Sequence, residues 1–327
     1  MTPDPGCLFM TASHREALSG LLYAIFKRKG FVVLTGDAGT GKTTLLRALI
    51  RLSKTAQFSL VLNPTLNLSE FLEMVLLDFG ISDVPPSKAQ RIVKLGELLL
   101  RLHRLGQAPV LIVDEAHKLS PEVLEEIRLL TNFETADEKL IHIVLAGQPE
   151  LAGLLNRDDL RQLKQRIEIR LEIKPLSPSE VGIYMRHRWE RAGGTNVLPF
   201  TPEAVALIAR AARGIPRLVN SICDNALLLG YGNGTSSISV EQIQEVLRDL
   251  DLRDRVIERA PGETDHHKAN GRPAESHAIT KATLTPMTIP TLERYSPPPS
   301  SPKPSLVMRL ASKLSSGTLH LTGMTHE

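Results

Sequence analysis

The segment GDAGTGKTT constrains the fold most, because it lies between the apolar run FVVL and the amphipathic run LLRALI. Its glycines, lysine and threonine fit the spacing G-x-x-x-x-G-K-[ST]. The glycines let backbone N–H groups face phosphate oxygens, the lysine reaches the β- and γ-phosphates, and the hydroxyl contacts Mg²⁺. The segment therefore predicts a strand, a phosphate loop and a helix that bind ATP and Mg²⁺. The residues predicted to hold the nucleotide are Gly36, Asp37, Ala38, Gly39, Thr40, Gly41, Lys42, Thr43 and Thr44, with Thr43 also on the metal.

Composition narrows the class of protein. The chain has 327 residues, is 42% hydrophobic and only 4% aromatic, and carries a formal net charge of +3. Such a mixed surface does not favour nucleic acid as a partner. Cys7 and Cys223 form no CxxC pair, and His103, His117 and His142 lack metal-ligand spacing, so we interpret these histidines as surface or packing residues. With neither a signal peptide nor a membrane span evident, we expect a cytoplasmic protein.

Strands alternate with helices up to about residue 175, which predicts an α/β fold with a mostly parallel sheet covered on both faces. Five strands are expected, within residues 30–36, 58–64, 108–117, 140–148 and 166–173. Four helices follow and no further strand. Residues 1–175 are therefore predicted to form a nucleotide-binding αβα sandwich, residues 176–255 an all-helical lid, and residues 256–327 a disordered tail rich in Pro, Ser and Thr.

Two adjacent carboxylates end the strand LIVDEAH. Asp114 is predicted to position the Mg²⁺ ion, and Glu115 to act as the general base toward the attacking water. A pair of carboxylates behind a phosphate loop favours hydrolysis over transfer to a small acceptor, for which no pocket can be located.

Four further residues are candidates for sensing or completing the site. Gln148 ends a strand, where contact with the γ-phosphate or water and a simple turn are equally good interpretations. Arg161 and Arg166 precede the last strand, and one of them could reach a neighbouring subunit's nucleotide. Arg217 begins a helix of the lid, where it could report the γ-phosphate or only form a helix-entry turn.

Residues 5–250 resemble the AAA+ ATPases of the general secretion pathway protein A (ExeA) type. The resemblance is carried by SHREAL, VLIVDEAHKLSPEVLEEIRLLTNFET, KLIHIVLAGQPEL, LRQLKQRI and GIPRLVNSICDNALLLGY. It implies a Walker A loop at Gly36–Thr44, and Walker B carboxylates at Asp114 and Glu115. It also implies a sensor-1 residue near Gln148, an arginine finger at Arg166 and a sensor-2 residue at Arg217. The HREAL segment is then expected near the adenine, with ATP between subunits of a homo-oligomer.

Secretion members of this family continue into a transmembrane helix and a periplasmic peptidoglycan-binding part, whereas this sequence continues into a Pro-rich tail and is expected to be a short form. The leading hypothesis is an ATP hydrolase that assembles or remodels a secretion, pilus or polysaccharide-export system, peripheral at the inner membrane through its partners. The alternatives are a transposition-type or helicase-loader ATPase acting with DNA, and a nucleotide-gated adaptor with little turnover. DNA is the less favoured partner, because KRKG at residues 27–30 is the one obvious basic stretch.

Overall fold

The computed structural model describes residues 9–62 and 64–252. The chain divides into two compact units, Met1–Val256 and Ile257–Glu327, and all of the described residues belong to the first. The tail predicted for residues 256–327 therefore lies outside the described part. The two predicted domains that precede it are described below.

The sheet of the described part has five parallel strands in the order β2-β3-β4-β1-β5. The order places β1 between β4 and β5, so the segment that follows β1 emerges at the sheet's carboxyl edge, one strand in from the edge strand β5. The strands are β1 (Phe31–Gly36), β2 (Ala56–Val61), β3 (Ala108–Val113), β4 (His142–Gly147) and β5 (Ile169–Ile173).

Helices cover both faces of this sheet. Alternate residues of β1 enter different cores: Phe31 and Val33 pack with the helices of one face, and Val32 and Leu34 with those of the other. Burial on both faces explains why β3 is apolar throughout. The helices of this part are α1 (Ala12–Phe26), α2 (Lys42–Leu52), α3 (Leu68–Asp78), α4 (Lys88–Arg104), α5 (Pro121–Leu130), α6 (Glu150–Leu155) and α7 (Arg161–Arg166).

The described chain after β5 is helical and has its own apolar core. Ser177, Thr201 and Ser239 precede three of its helices, and each is followed by a side chain or proline typical of a helix start. The core includes Phe9, which packs edge-on against Tyr184. These helices are α8 (Pro178–Arg191), α9 (Pro202–Ala212), α10 (Pro216–Gly232) and α11 (Val240–Asp249).

The predicted fold class is confirmed, but some element bounds differ. The last strand begins at Ile169 rather than at residue 166, because residues 161–166 form the short helix α7. The predicted strand at residues 108–117 ends at Val113, where Asp114 and Glu115 leave the sheet. Helices α1 and α6 were not anticipated. None of the helices in the described part is both long and apolar enough to cross a bilayer.

Candidate active site

The loop between β1 and α2 is tightly wound and depends on glycine. Gly39 and Gly41 have φ angles of 84° and 103°, in the left-handed region where residues with a Cβ are strained. A Cβ at Gly36 would lie 2.7 Å from the backbone oxygen of Ile173 on the neighbouring strand. The hydroxyl of Thr40 donates to the carbonyl of Asp37 at 2.8 Å and closes the turn.

Lys42 is the first residue of α2 and its side chain bends back over this loop. Its Nζ donates to the carbonyl oxygens of Gly36 at 2.7 Å and of Asp37 at 3.0 Å. Only 5% of the residue is exposed, and this burial lowers the pKa of the ammonium group. Ala38 lies exposed at the tip of the loop, and Thr44 is half-buried in the first turn of α2.

The other half of the site comes from the carboxyl end of β3. Asp114 is 2% exposed, and its carboxylate accepts a hydrogen bond from the hydroxyl of Thr43. The other carboxylate oxygen accepts from the backbone N–H of Glu115 at 2.9 Å. The backbone N–H of Asp114 donates to Val61 of β2 at 2.9 Å, which continues the sheet hydrogen bonding up to the site. The predicted metal-binding pair is therefore brought together.

Glu115 leaves the strand with an unusual backbone. Its φ of 52° is left-handed, which is uncommon for a residue other than glycine and occurs often at functional sites. The side chain is 31% exposed, and its Oε2 lies 3.5 Å from Nε2 of Gln148 and 3.6 Å from Nζ of Lys118. The sheet thus places Gln148, at the end of β4, next to the predicted general base.

His117, interpreted from the sequence as a surface or packing residue, lies beside Glu115 and Gln148. Its Nε2 lies 3.6 Å from Oε2 of Glu115 and 3.3 Å from the side-chain amide of Gln148. Its Nδ1 lies 3.4 Å from the backbone N–H of Gln148 and must accept that hydrogen bond. A neutral ring then carries its proton on Nε2, which faces the carboxylate of Glu115. The amide nitrogen of Gln148 is itself a donor, so it does not accept this proton. The signal that could have located it is its position two residues after Glu115.

His14 fixes the phosphate loop from the side of α1. The ring is 3% exposed, its Nε2 lies 3.0 Å from the carbonyl of Thr40, and its Nδ1 lies 2.7 Å from the hydroxyl of Thr11. Because a carbonyl only accepts, Nε2 carries the proton and Nδ1 accepts from Thr11. Burial lowers the pKa of the imidazole. The HREAL segment, expected near the adenine, thus contacts the loop through its histidine.

The helical part touches the loop at Arg217. The backbone N–H of Arg217 donates to the carbonyl of Gly39 at 3.3 Å. A Cβ at Gly39 would lie 2.6 Å from the Cβ of Arg217, so the absence of a side chain permits this approach. The backbone contact joins the first turn of α10 to the phosphate loop, and the Arg217 side chain itself is exposed beside it.

The two candidate arginines near β5 differ in their surroundings. Arg166 donates to Thr131 Oγ1 at 3.2 Å and to Asn132 Oδ1 at 2.9 Å, on the segment after α5 of its own chain. Arg161 is exposed at the start of α7. Within the single chain, Arg166 is thus held by hydrogen bonds to its own residues. A role toward a neighbouring subunit remains a prediction for either arginine.

The arrangement fits a nucleotide with Mg²⁺ better than a protein-bound metal. Within residues 9–62 and 64–252, His, Cys, Asp and Glu form no cluster of three that could hold a metal ion. Mg²⁺ typically takes one or two protein oxygens and completes its shell with water and substrate phosphates. The Thr43 hydroxyl and the Asp114 carboxylate offer that limited set.

Comparison with known proteins assigns the family. Residues 7–155 match the AAA domain family. General secretion pathway protein A of Aeromonas hydrophila is 41% identical over 244 residues, which cover 73% of this chain and 44% of that relative. The chain is a member of the AAA+ ATPase family. The match spans less than half of the Aeromonas protein's length, so it concerns the AAA+ part alone.

Other AAA+ relatives act on DNA according to their names. The ATP-dependent target DNA activator B of Escherichia phage Mu is 24% identical over 256 residues, covering 76% of this chain and 75% of the activator. Among solved structures, Cdc6p from Pyrobaculum aerophilum has a TM-score of 0.58 at 21% identity and covers 75% of this chain and 71% of its own. That likeness supports the AAA+ fold alone.

Proposed function

We propose that this AAA+ protein binds Mg²⁺-ATP and hydrolyses it. The observation that carries the proposal is the hydrogen bond between Thr43 and Asp114, with Glu115 and Gln148 adjacent. It combines a phosphate loop, a candidate metal-binding pair and the carboxylate of Glu115 in one place. Steady-state phosphate release by the full chain, with and without Mg²⁺, tests it.

Each residue of the site has a distinct part in this proposal. The backbone N–H groups of the loop and the Lys42 ammonium bind the phosphate oxygens, and they exchange carbonyl contacts for phosphate contacts. Asp114 and Thr43 hold the metal, and Glu115 accepts the proton of the attacking water. Mg²⁺, when bound, neutralises charge on the phosphates. Gln148 orients the carboxylate of Glu115 or the water beside it.

The contact of Arg217 with Gly39 supports a conformational output. Because α10 lies directly on the phosphate loop, a change in the loop alters the surface against which the helical part packs. We infer that nucleotide state is transmitted to the lid and that the lid changes its affinity for a partner.

The client we propose is a protein assembly of a secretion, pilus or polysaccharide-export system, as suggested by the name of the Aeromonas relative. Glu115→Gln should slow hydrolysis while ATP stays bound, which prolongs complexes with the client. Affinity capture with this variant should enrich envelope-assembly proteins over a Lys42→Ala variant, which loses ATP. Enrichment of a transposase or replication protein instead would contradict this client.

We further propose that the protein works as a homo-oligomer with an arginine acting between subunits. Arg166→Ala and Arg161→Ala each supply a test. The variant lacking the acting arginine should lose turnover, and mixing it with Glu115→Gln subunits should restore part of it. Because Arg166 already donates hydrogen bonds to Thr131 and Asn132, the melting temperature of the Arg166→Ala variant must be measured together with its turnover. Failure of rescue for both variants would contradict a role between subunits.

DNA is the second candidate partner, favoured by the match to the phage Mu activator over three quarters of its length. If the protein binds DNA through phosphate contacts, its affinity for DNA should fall steeply as the salt concentration rises. If its client is a protein, we expect no such salt-dependent binding to DNA. Titration of duplex DNA at two salt concentrations distinguishes a DNA partner from a protein client.

A further inference from the structure

The edge of the sheet opposite the phosphate loop is more basic than the net charge of the whole chain suggests. All five strands are parallel, so their amino ends share one edge. Helices α1, α2 and α4 end just before β1, β2 and β3, so their last residues lie along this edge. His14 and Thr40 place the first turns of α1 and α2 together at the phosphate loop, so both helices end at the far side. We call this region the amino edge.

Basic residues are concentrated at the amino edge. It carries eight basic against four acidic side chains, although the whole chain has a net charge of only +3. The KRKG stretch identified in the sequence is joined here to the end of α4, since Arg28 lies 3.0 Å from the ring of His103. The basic residues are Lys27, Arg28, Lys29, Arg51, Lys54, Arg101, Arg104 and Lys139, and the acidic ones are Glu134, Asp137, Glu138 and Glu168.

Most of the acidic groups are already neutralised. Glu138 pairs with Arg28, Glu168 with Lys29, and Glu134 with Lys139. Five basic residues of the edge are exposed and form no ion pair with any other described residue. They are Lys27, Arg51, Lys54, Arg101 and Arg104.

Large apolar side chains project between these charges. Phe26, Leu52 and Leu105 are 76%, 53% and 68% exposed, and each ends or follows a helix at the amino edge. A basic residue is adjacent to each one, and the ammonium of Lys27 lies 5.3 Å from the ring centre of Phe26. Single exposed apolar residues are ordinary, but three at one basic edge form a mixed surface.

We propose that the amino edge docks on an anionic lipid surface. Basic side chains are attracted to the negative surface potential of such a membrane, and adjacent apolar side chains insert at the boundary between headgroups and acyl chains. DNA would use the same charges but gains nothing from exposed leucines. A surface for single-stranded nucleic acid would need a row of stacking aromatic side chains. The exposed aromatic residues near this edge, Tyr23 and Phe26, both lie at the end of α1, whereas the exposed apolar residues at the ends of α2 and α4 are leucines.

This inference goes beyond ATP hydrolysis and adds a direct membrane contact. The phosphate loop lies at the opposite, carboxyl edge of the sheet, so docking leaves the nucleotide site facing away from the lipid. Nucleotide binding and membrane binding are then separable by mutation.

Co-sedimentation of the full chain with lipid vesicles tests the proposal. Vesicles of phosphatidylcholine with one quarter phosphatidylglycerol should bind the protein at least tenfold better than phosphatidylcholine alone. The charge variant Lys27→Ala/Arg101→Ala/Arg104→Ala should bind at least fivefold less. The apolar variant Phe26→Ser/Leu105→Ser should also bind less, while keeping its dependence on phosphatidylglycerol.

Matched controls come from exposed residues of the helical part. Arg191→Ala/Arg210→Ala/Arg248→Ala removes as many charges, and Val197→Ser/Leu228→Ser removes side chains that are 75% and 56% exposed. Both controls should bind vesicles as the wild type does, and melting temperatures should show that every variant is folded. Equal loss in edge and control variants, or no loss in the edge variants, would overturn the proposal. So would a wild type that binds duplex DNA through the edge but not vesicles.

Discussion

The hydroxyl of Thr43 donates a hydrogen bond to the carboxylate of Asp114, joining residues 71 positions apart in the chain. Thr43 lies in the first turn of α2 and Asp114 directly follows β3. The fold thus brings together the two side chains that we propose hold the metal ion.

Asp114→Asn should remove the effect of Mg²⁺ on nucleotide binding. The amide keeps the size of the side chain but loses the charge that attracts the metal. We expect ATP affinity in Mg²⁺ to fall at least tenfold, on the order of 1.4 kcal/mol, and affinity in EDTA to stay unchanged. Fluorescent-nucleotide titrations measure both. An equal loss in EDTA would mean that Asp114 supports the loop rather than the metal.

His117→Ala and Lys118→Ala form a matched pair, because both side chains lie 3.6 Å from Oε2 of Glu115. His117 also contacts Gln148, whereas Lys118 is half exposed and its attraction is screened. We expect kcat for ATP to fall about tenfold for His117→Ala, equivalent to about 1.4 kcal/mol, with KM nearly unchanged. Lys118→Ala should change kcat less than about twofold by the same relation. Equal effects would show that His117 does not position Glu115.

Gly39→Ala should separate the loop from the lid. The new Cβ would meet Arg217 and would force a left-handed backbone on alanine, at about 1–3 kcal/mol of folding stability. ATP affinity should fall with it. Gly153→Ala in α6 is the control, since nothing lies within 4 Å of its added Cβ, and it should be neutral or stabilising. Chemical unfolding measures the stability of both variants, and ATP titration measures their affinity. A Gly39→Ala protein with wild-type stability and affinity would contradict the claim that the contact with Arg217 requires glycine at this position.

His14 should make stability depend on pH. Burial lowers its pKa in the folded state, with a smaller opposing effect from the Thr40 carbonyl and Glu180, so the unfolded chain binds the proton more readily. The contribution of neutral His14 to the free energy of unfolding is therefore fully present above about pH 6.5, the ordinary histidine pKa. It is lost as the pH falls below that value. The slope is at most about 1.4 kcal/mol per pH unit.

The variant His14→Gln isolates this effect. At pH 7.5 it should be less stable than the wild type, and the difference in unfolding free energy should shrink at pH 5.5. Denaturant titrations at the two pH values supply the measurement. A difference that is independent of pH would mean that His14 does not stay neutral in the fold.

Local patterns in the sequence were sufficient to predict the parallel sheet, the phosphate loop and the Asp114–Glu115 pair, because strand, loop and helix signals lie next to one another there. The sequence also placed Gln148 at the end of a strand, and the structure brings it within 3.5 Å of Glu115 because parallel strands end at one edge. These features depend on short-range chemistry and on the geometry common to parallel sheets.

Contacts between distant segments could not be predicted in this way. The spacing of His117 gave no sign of its contact with Gln148, 31 positions away. The hydrogen bonds that Arg166 donates to Thr131 and Asn132 also join segments more than thirty positions apart. The clustering of basic residues at the amino edge required knowing that α1 and α4 end side by side.

The most direct test of the central claim is ATP turnover by wild type and Glu115→Gln, with ATP affinity measured for both. We predict that the variant binds ATP as well as the wild type but releases phosphate at least a hundredfold more slowly, about 2.7 kcal/mol. Equal release rates, or no release by either protein despite tight binding, would contradict hydrolysis at this site and favour a nucleotide-gated adaptor.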